Sequence, residues 1–327
     1  MSPKEEKNNL VIKIKRAFLF VFCLLFFFIP SQNFYAVIQA TPLFSSTQEL
    51  DFPLPSISNY PVNLEKIPMP SLTARSLVVI DRDSAVLLVG RNENLRVLPA
   101  STVKVMTALV VLDYYHLDDV LVVGEMEKNG QGIDLIEGEK MTVKNLLYGL
   151  LVFSANDAAL VLAQNYPGGV ISFVKAMNQK AQALNLTHTY FANSTGLDSD
   201  TKGNLLTDFS YTTALDLARL AAAALKNRFL LEIFSTSAIT ITDVEGEISH
   251  QLSNINELLN YLPGMKGVKT GWTEEAGECL VGYTEREAQG IITVVLGSQD
   301  RFGETVKLTN WVFDNFRWLE ITPSIED

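Results

Sequence analysis

Three short motifs, in order along the 327-residue chain, hold the residue types that nucleophilic catalysis needs. Ser101-Thr-Val-Lys104 pairs a hydroxyl with an amine three residues on, so on a helix both side chains face one way, a turn apart. A serine is a weak nucleophile until a base takes its proton, and a lysine accepts that proton only after losing its own. Burial and a second cation both lower a lysine's pKa. Lys269 of Lys269-Thr270-Gly271 is the candidate second cation. Placed on a strand edge, the same tripeptide would align an extended ligand by backbone hydrogen bonds, with Thr270 binding its carboxylate. Ser154-Ala-Asn156 adds a hydroxyl that can pass a proton and an amide that can hold a ligand or Lys104.

Each motif alone is weak. At ordinary residue frequencies S-x-x-K arises about once by chance in a chain of this length, and Ser172-Phe-Val-Lys175 is a second copy. Ser31-Gln-Asn33 repeats S-x-N. K-T-G is rarer, at well under ~0.1 chance occurrences. Taken singly, Ser101 reads sooner as a helix N-cap, Lys104 as a solvated charge and Ser154 with Asn156 as an ordinary cap. Order and placement separate the trio from its decoys. Ser101 follows Pro99-Ala100 at a predicted helix start, where free N–H groups and the macrodipole favour developing negative charge. Ser172 lies mid-pattern on a predicted helix with no turn before it.

The elements that must position these residues follow from periodicity. Residues 76–81 and 85–89 read as strands of a hairpin around Asp81-Arg82-Asp83-Ser84. A helix opens near Ser101 and runs through Val103, Met106, Leu109, Val110 and Leu112. Further helices are expected over 143–152, with Thr142 as N-cap, and over 157–164, 170–184 and 212–225. Strands return at 238–242, 248–252, 267–270, 278–284 and 290–297, and 302–318 reads as a closing helix. Strands, then helices, then strands predict an α/β (α+β) domain: one sheet with helices on its faces and an inserted helical lobe.

Composition bounds the whole. At 47% hydrophobic and 19% charged residues the chain is not disordered, and its length suits one large domain or two modest ones. The net charge of -11, with no basic run in the body, argues against nucleic-acid binding. Five basic residues precede an unbroken apolar run over 17–29 that ends at Pro30. Thirteen residues match the apolar core of a signal peptide and fall short of the ~20 of a membrane span. Residues 1–40 are therefore read as an export signal or N-terminal membrane anchor, with Ala36 and Ala40 as candidate cleavage positions. Residues 41–71 hold six of the twelve prolines and read as an extended spacer, 72–320 as the catalytic domain and 321–327 as a tail. Cys23 and Cys279 build neither a disulfide framework nor a zinc site, and His116, His188 and His250 show no metal-ligand spacing.

With these residues in place, the sequence resembles the D-alanyl-D-alanine carboxypeptidases, the low-molecular-mass penicillin-binding proteins of serine peptidase family S11. The likeness covers roughly residues 72–318. It rests on 99–109 (PASTVKVMTAL), 146–159 (LLYGLLVFSANDAA), 191–197 (FANSTGL), Asn254-Ile-Asn256 and 267–277 (GVKTGWTEEAG). The resemblance implies a β-lactamase/transpeptidase-like fold with a central, mostly antiparallel sheet. It implies Ser101 as nucleophile on peptidoglycan stem peptides ending in D-Ala-D-Ala, Lys104 as base and Ser154 as proton relay. Asn156, Lys269, Thr270, Gly271 and Trp272 would bind substrate, and the backbone N–H groups of Ser101 and Trp272 would form the oxyanion hole. β-Lactams would acylate the same serine, and no metal or organic cofactor is implied. The chain stops soon after its closing helix, where many relatives carry a β-rich domain and an anchoring helix, so any tether would be the N-terminal segment. Trp272 is bulkier than the residue the family often has there. Alternatives are a D,D-endopeptidase on cross-links, a class A β-lactamase or a non-catalytic wall-binding module. For the β-lactamase no acidic loop is evident after the second motif, where Asp208 and Asp216 read as helical.

Overall fold

Every residue of the strand Ser76–Asp81 (β2) is buried, so both faces of its sheet must be covered. The computed structural model describes residues 60–126, 130–197 and 209–320, all within one unit, Pro55–Asp327. The export segment, most of the proline-rich spacer, Cys23, Asp208 and the tail lie outside the described residues.

The first strand, Tyr60–Asn63 (β1), pairs antiparallel with the last, Phe316–Leu319 (β11). Thus regular structure begins inside the stretch read as a spacer, and the closing helix ends at Asn315, short of the expected 318. The central sheet adds Leu87–Arg91 (β3), Met265–Thr273 (β8), Gly277–Arg286 (β9) and Gln289–Ser298 (β10), in the order β3-β2-β10-β9-β8. All neighbours are antiparallel. In the expected hairpin β2 has the predicted bounds, and β3 starts two residues late. Asp81 closes the turn by accepting from both the amide and the hydroxyl of Ser84.

Side-chain alternation divides the core. Leu77, Val79, Ile291 and Val295 pack with Leu308 and Val312 of the closing helix Arg301–Asn315 (α7). Val78, Ile80, Ile292 and Val294 face the opposite way, into the helical lobe. That lobe comprises Lys104–Tyr114 (α1), Val143–Tyr148 (α2), Asn156–Gln164 (α3), Gly169–Ala183 (α4), Ala214–Ala224 (α5) and Arg228–Ser235 (α6). Two hairpins trim it: Val120–Val122 (β4) with Lys140–Thr142 (β5), and Ala238–Thr242 (β6) with Ser249–Ser253 (β7). The first eight residues of α1 are buried all round, which makes it the central helix. Caps fall where hydroxyls and amides precede helices: Thr142 accepts from Asn145 N, Thr213 from Asp216 N and Asn227 from Phe229 N.

Candidate active site

Ser101 sits in a 3-10 turn, Ala100–Val103, and α1 proper begins at Lys104. The sequence placed Ser101 at the helix start. The tighter turn has three residues per revolution, so the i and i+3 side chains eclipse. Lys104 Nζ accordingly lies 2.9 Å from Ser101 Oγ. Two glycines crowd this backbone. A Cβ on Gly196, whose φ is +82°, would come within 2.0 Å of Ala100 O, and one on Gly271 within 2.9 Å of Ser101 N. The glycine of the third motif therefore lets strand β8 approach Ser101.

Lys104 is completely buried. Besides Ser101 Oγ, its Nζ meets Asn156 Oδ1 at 2.7 Å and Thr195 O at 2.7 Å. Burial draws its pKa down to about 7, against a weaker opposing pull from Asp157. The second-cation expectation is corrected here, because burial, not Lys269, is the leading cause. Lys269 is itself pushed well down, by burial first and then by the charges of Lys104 and Arg301.

The second motif follows an unusual turn. α2 widens into a π-helical turn, Gly149–Phe153, and Ser154 ends it in the left-handed region at φ 67°. A non-glycine residue held there carries strain that the surroundings must maintain. The effect is to present Ser154, 2% exposed, to the cleft and to start α3 at Asn156. The backbone N of Asn156 donates to Gln131 O at 2.7 Å, tying α3 to the segment 130–139. Asp157 accepts from Ile133 N and Leu135 N of that segment. His250, whose sequence context suggested no role, secures it from the other side with Nδ1 2.8 Å from Ile133 O and Nε2 2.8 Å from Glu139 Oε1.

The third motif lies on β8, an edge strand of the central sheet. Lys269 Nζ donates to Thr270 O at 2.9 Å. Thr270 Oγ1 is buried, has no hydrogen-bond partner among the described residues, and faces the cleft. Trp272 is 61% exposed at the rim. The structure thus brings Ser101, Ser154, Asn156, Thr270, Gly271 and Trp272 to one open cleft of about 640 Å³, with Lys104 and Lys269 buried beneath. The decoy does not join them: Ser172 is on α4 and Lys175 is exposed. Asp216, on α5, is buried and accepts from His188 N and Thr189 Oγ1.

Two participants escaped the sequence reading. Thr195 acts through its carbonyl, a group every residue has. The signals were its place in the 191–197 stretch and the adjoining left-handed Gly196, held with Thr195 N by Asn193 Oδ1. Arg301 lies far along the chain, at the start of α7. It reaches the cleft, where Nη1 is 3.3 Å from Gly271 O.

Comparison with known proteins places the chain in a family. The family model described as D-alanyl-D-alanine carboxypeptidase matches residues 63–300. The D-alanyl-D-alanine carboxypeptidase DacF of Bacillus subtilis is 32% identical over 74% of the chain, which spans 63% of DacF. A D-alanyl-D-alanine endopeptidase of Pseudomonas aeruginosa is 34% identical over 74% of the chain and 77% of its own length. The solved structure of a D-alanyl-D-alanine carboxypeptidase from Mycobacterium tuberculosis superposes with a TM-score of 0.71 at 30% identity, covering 80% of this chain and 97% of that one.

Proposed function

Since the chain belongs to the D-alanyl-D-alanine carboxypeptidase family of serine peptidases, we propose that it removes the terminal D-alanine from peptidoglycan stem peptides through an acyl-enzyme on Ser101. The observation that carries this reading is the buried Lys104 amine 2.9 Å from Ser101 Oγ, with a pKa near neutrality.

Ser101 Oγ attacks the carbonyl between the two D-alanines, and its proton passes to the neutral Lys104 Nζ. The backbone N–H groups of Ser101 and Trp272 receive the developing oxyanion, a role worth about 10²–10³ in rate per donor. Collapse expels D-alanine, whose nitrogen takes a proton relayed by Ser154. Water then attacks the ester, its proton returns through the same groups, and Ser101 is restored. Thr270 Oγ1, without a partner among the described residues, and Arg301 receive the substrate's carboxylate. Asn156, Lys269 and Gly271 shape the cleft around the scissile bond, and a β-lactam acylates Ser101 in the same way.

Cleavage of cross-links is the second reading, favoured by the endopeptidase named among the relatives and by the open cleft. The basic and apolar N-terminus supports export, and if uncleaved it tethers the domain to the outer face of the membrane. The test is release of D-alanine from an acyl-peptide ending in D-Ala-D-Ala. Wild type is expected to release it and Ser101→Ala to release none; equal release by both would refute the assignment.

A further inference from the structure

The cleft has a basic end and an acidic end. Arg301 and the Thr270 hydroxyl, which has no hydrogen-bond partner among the described residues, make one end suited to a carboxylate. At the other end, Glu274 and Glu275 occupy the turn between β8 and β9 and line the same cleft. Both are exposed, and neither makes an ion pair or side-chain hydrogen bond among the described residues. The exposed Trp272 indole stands between the two ends, and an indole face attracts cations.

Chain direction fixes what meets the acidic end. Along β8 the chain runs from Lys269 on to its end at Thr273, and Gly271 lies against Ser101. An extended ligand with its carboxylate at Thr270 and its scissile carbonyl at Ser101 therefore lies antiparallel to β8. Its upstream residues pass Trp272 and Thr273 at about 3.3 Å per residue. A long side chain on the residue preceding the two D-alanines then reaches Glu274 and Glu275. We propose that the β8–β9 turn, with Trp272, selects substrates that carry a free primary amine on that upstream residue. The inference rests on the D-Ala-D-Ala reading and adds to it a specificity for an unmodified, positively charged stem.

The test compares kcat/KM for two tripeptides, Nα-acetyl-L-lysyl-D-Ala-D-Ala with its ε-amine free and the same peptide acetylated there. Wild type is expected to prefer the free amine by about fivefold at low ionic strength, the scale of a few exposed charge contacts. The preference should shrink as salt rises. In Glu274→Gln/Glu275→Gln the ratio should fall to near one. Equal rates on both peptides in wild type, or an undiminished preference in the double variant, overturn the proposal and leave the carboxypeptidase assignment standing. No hydrolysis of either peptide, with no penicillin adduct, removes the assignment and this inference together.

Discussion

Lys104 faces three acceptors and, as an ammonium, has three protons to give them: Ser101 Oγ, Asn156 Oδ1 and Thr195 O. As a neutral amine it keeps two N–H donors for the amide and the carbonyl and turns its lone pair to Ser101, whose hydroxyl then donates. The same cage serves both protonation states, so proton transfer requires no rearrangement. With a pKa drawn down to about 7 by burial, the neutral form grows as pH rises through neutrality. Acylation by a β-lactam should therefore slow about tenfold per unit below pH 6 and level off above pH 8, as measured by stopped-flow under pseudo-first-order conditions. Lys104→Arg keeps the charge but cannot give up its proton, and acylation should drop by about 10²–10⁴. A flat pH profile would assign the base elsewhere. Ser101, Lys104 and Lys269 were legible from the sequence because side-chain chemistry marks them. Thr195 was not, since its contribution is a backbone carbonyl.

The elements carry these residues with unequal visibility in the sequence. The buried helix α1 and strands β2, β9 and β10 were plain because uniform apolar runs and alternation survive any context. Helix α6 went unread, although Asn227 caps it and Leu230, Ile233 and Phe234 are buried, because eight residues give barely two turns of period. The short hairpin β4–β5 and the pairing of β1 with β11 depend on contacts remote in sequence. The widening of α2 at Gly149–Phe153 leaves no compositional trace, yet it aims Ser154. The segment 130–139 is likewise held by distant groups: Asp157 on one side and His250, buried against Glu139, on the other. His250→Ala takes the partner from Glu139 Oε1, leaving Oε2 on Ile136 N, and loosens the segment that orders Asn156 through Gln131 O. Thermal unfolding should show a loss of about 1–3 kcal/mol, and stopped-flow acylation should slow several-fold at unchanged pH midpoint. An unaltered acylation rate would detach this segment from the site.

At the scale of the molecule, the two ends of the described body are sewn together. Glu304 of α7 accepts from the Thr73 and Ala74 amides and from Ser298 Oγ, and Trp318 Nε1 donates to Asp81 Oδ1 at 2.7 Å. Burial alone would raise the Glu304 carboxyl, but the hydrogen bonds from Ser298, Thr73 and Ala74 hold it below the ordinary value. A depressed folded-state pKa contributes stability above the ordinary carboxylate range and loses it as pH falls through the folded value. Glu304→Ala, which leaves two amides and a hydroxyl unpaired, should cost about 3 kcal/mol, or roughly 6–12 °C in Tm at neutral pH. The gap from wild type should narrow in acid, and a Tm gap independent of pH would contradict the role given to the carboxylate. This framework, a sheet edge at β8 against a buried helix at α1, holds Ser101 beside a buried lysine whose pKa burial draws down to about 7. The claim is tested most directly by incubating the protein with a fluorescent penicillin and locating the adduct by mass spectrometry. One stable adduct on the peptide containing Ser101, absent in Ser101→Ala and retained in Ser172→Ala, is the predicted result. No adduct on folded protein, or an adduct that survives Ser101→Ala, would contradict it.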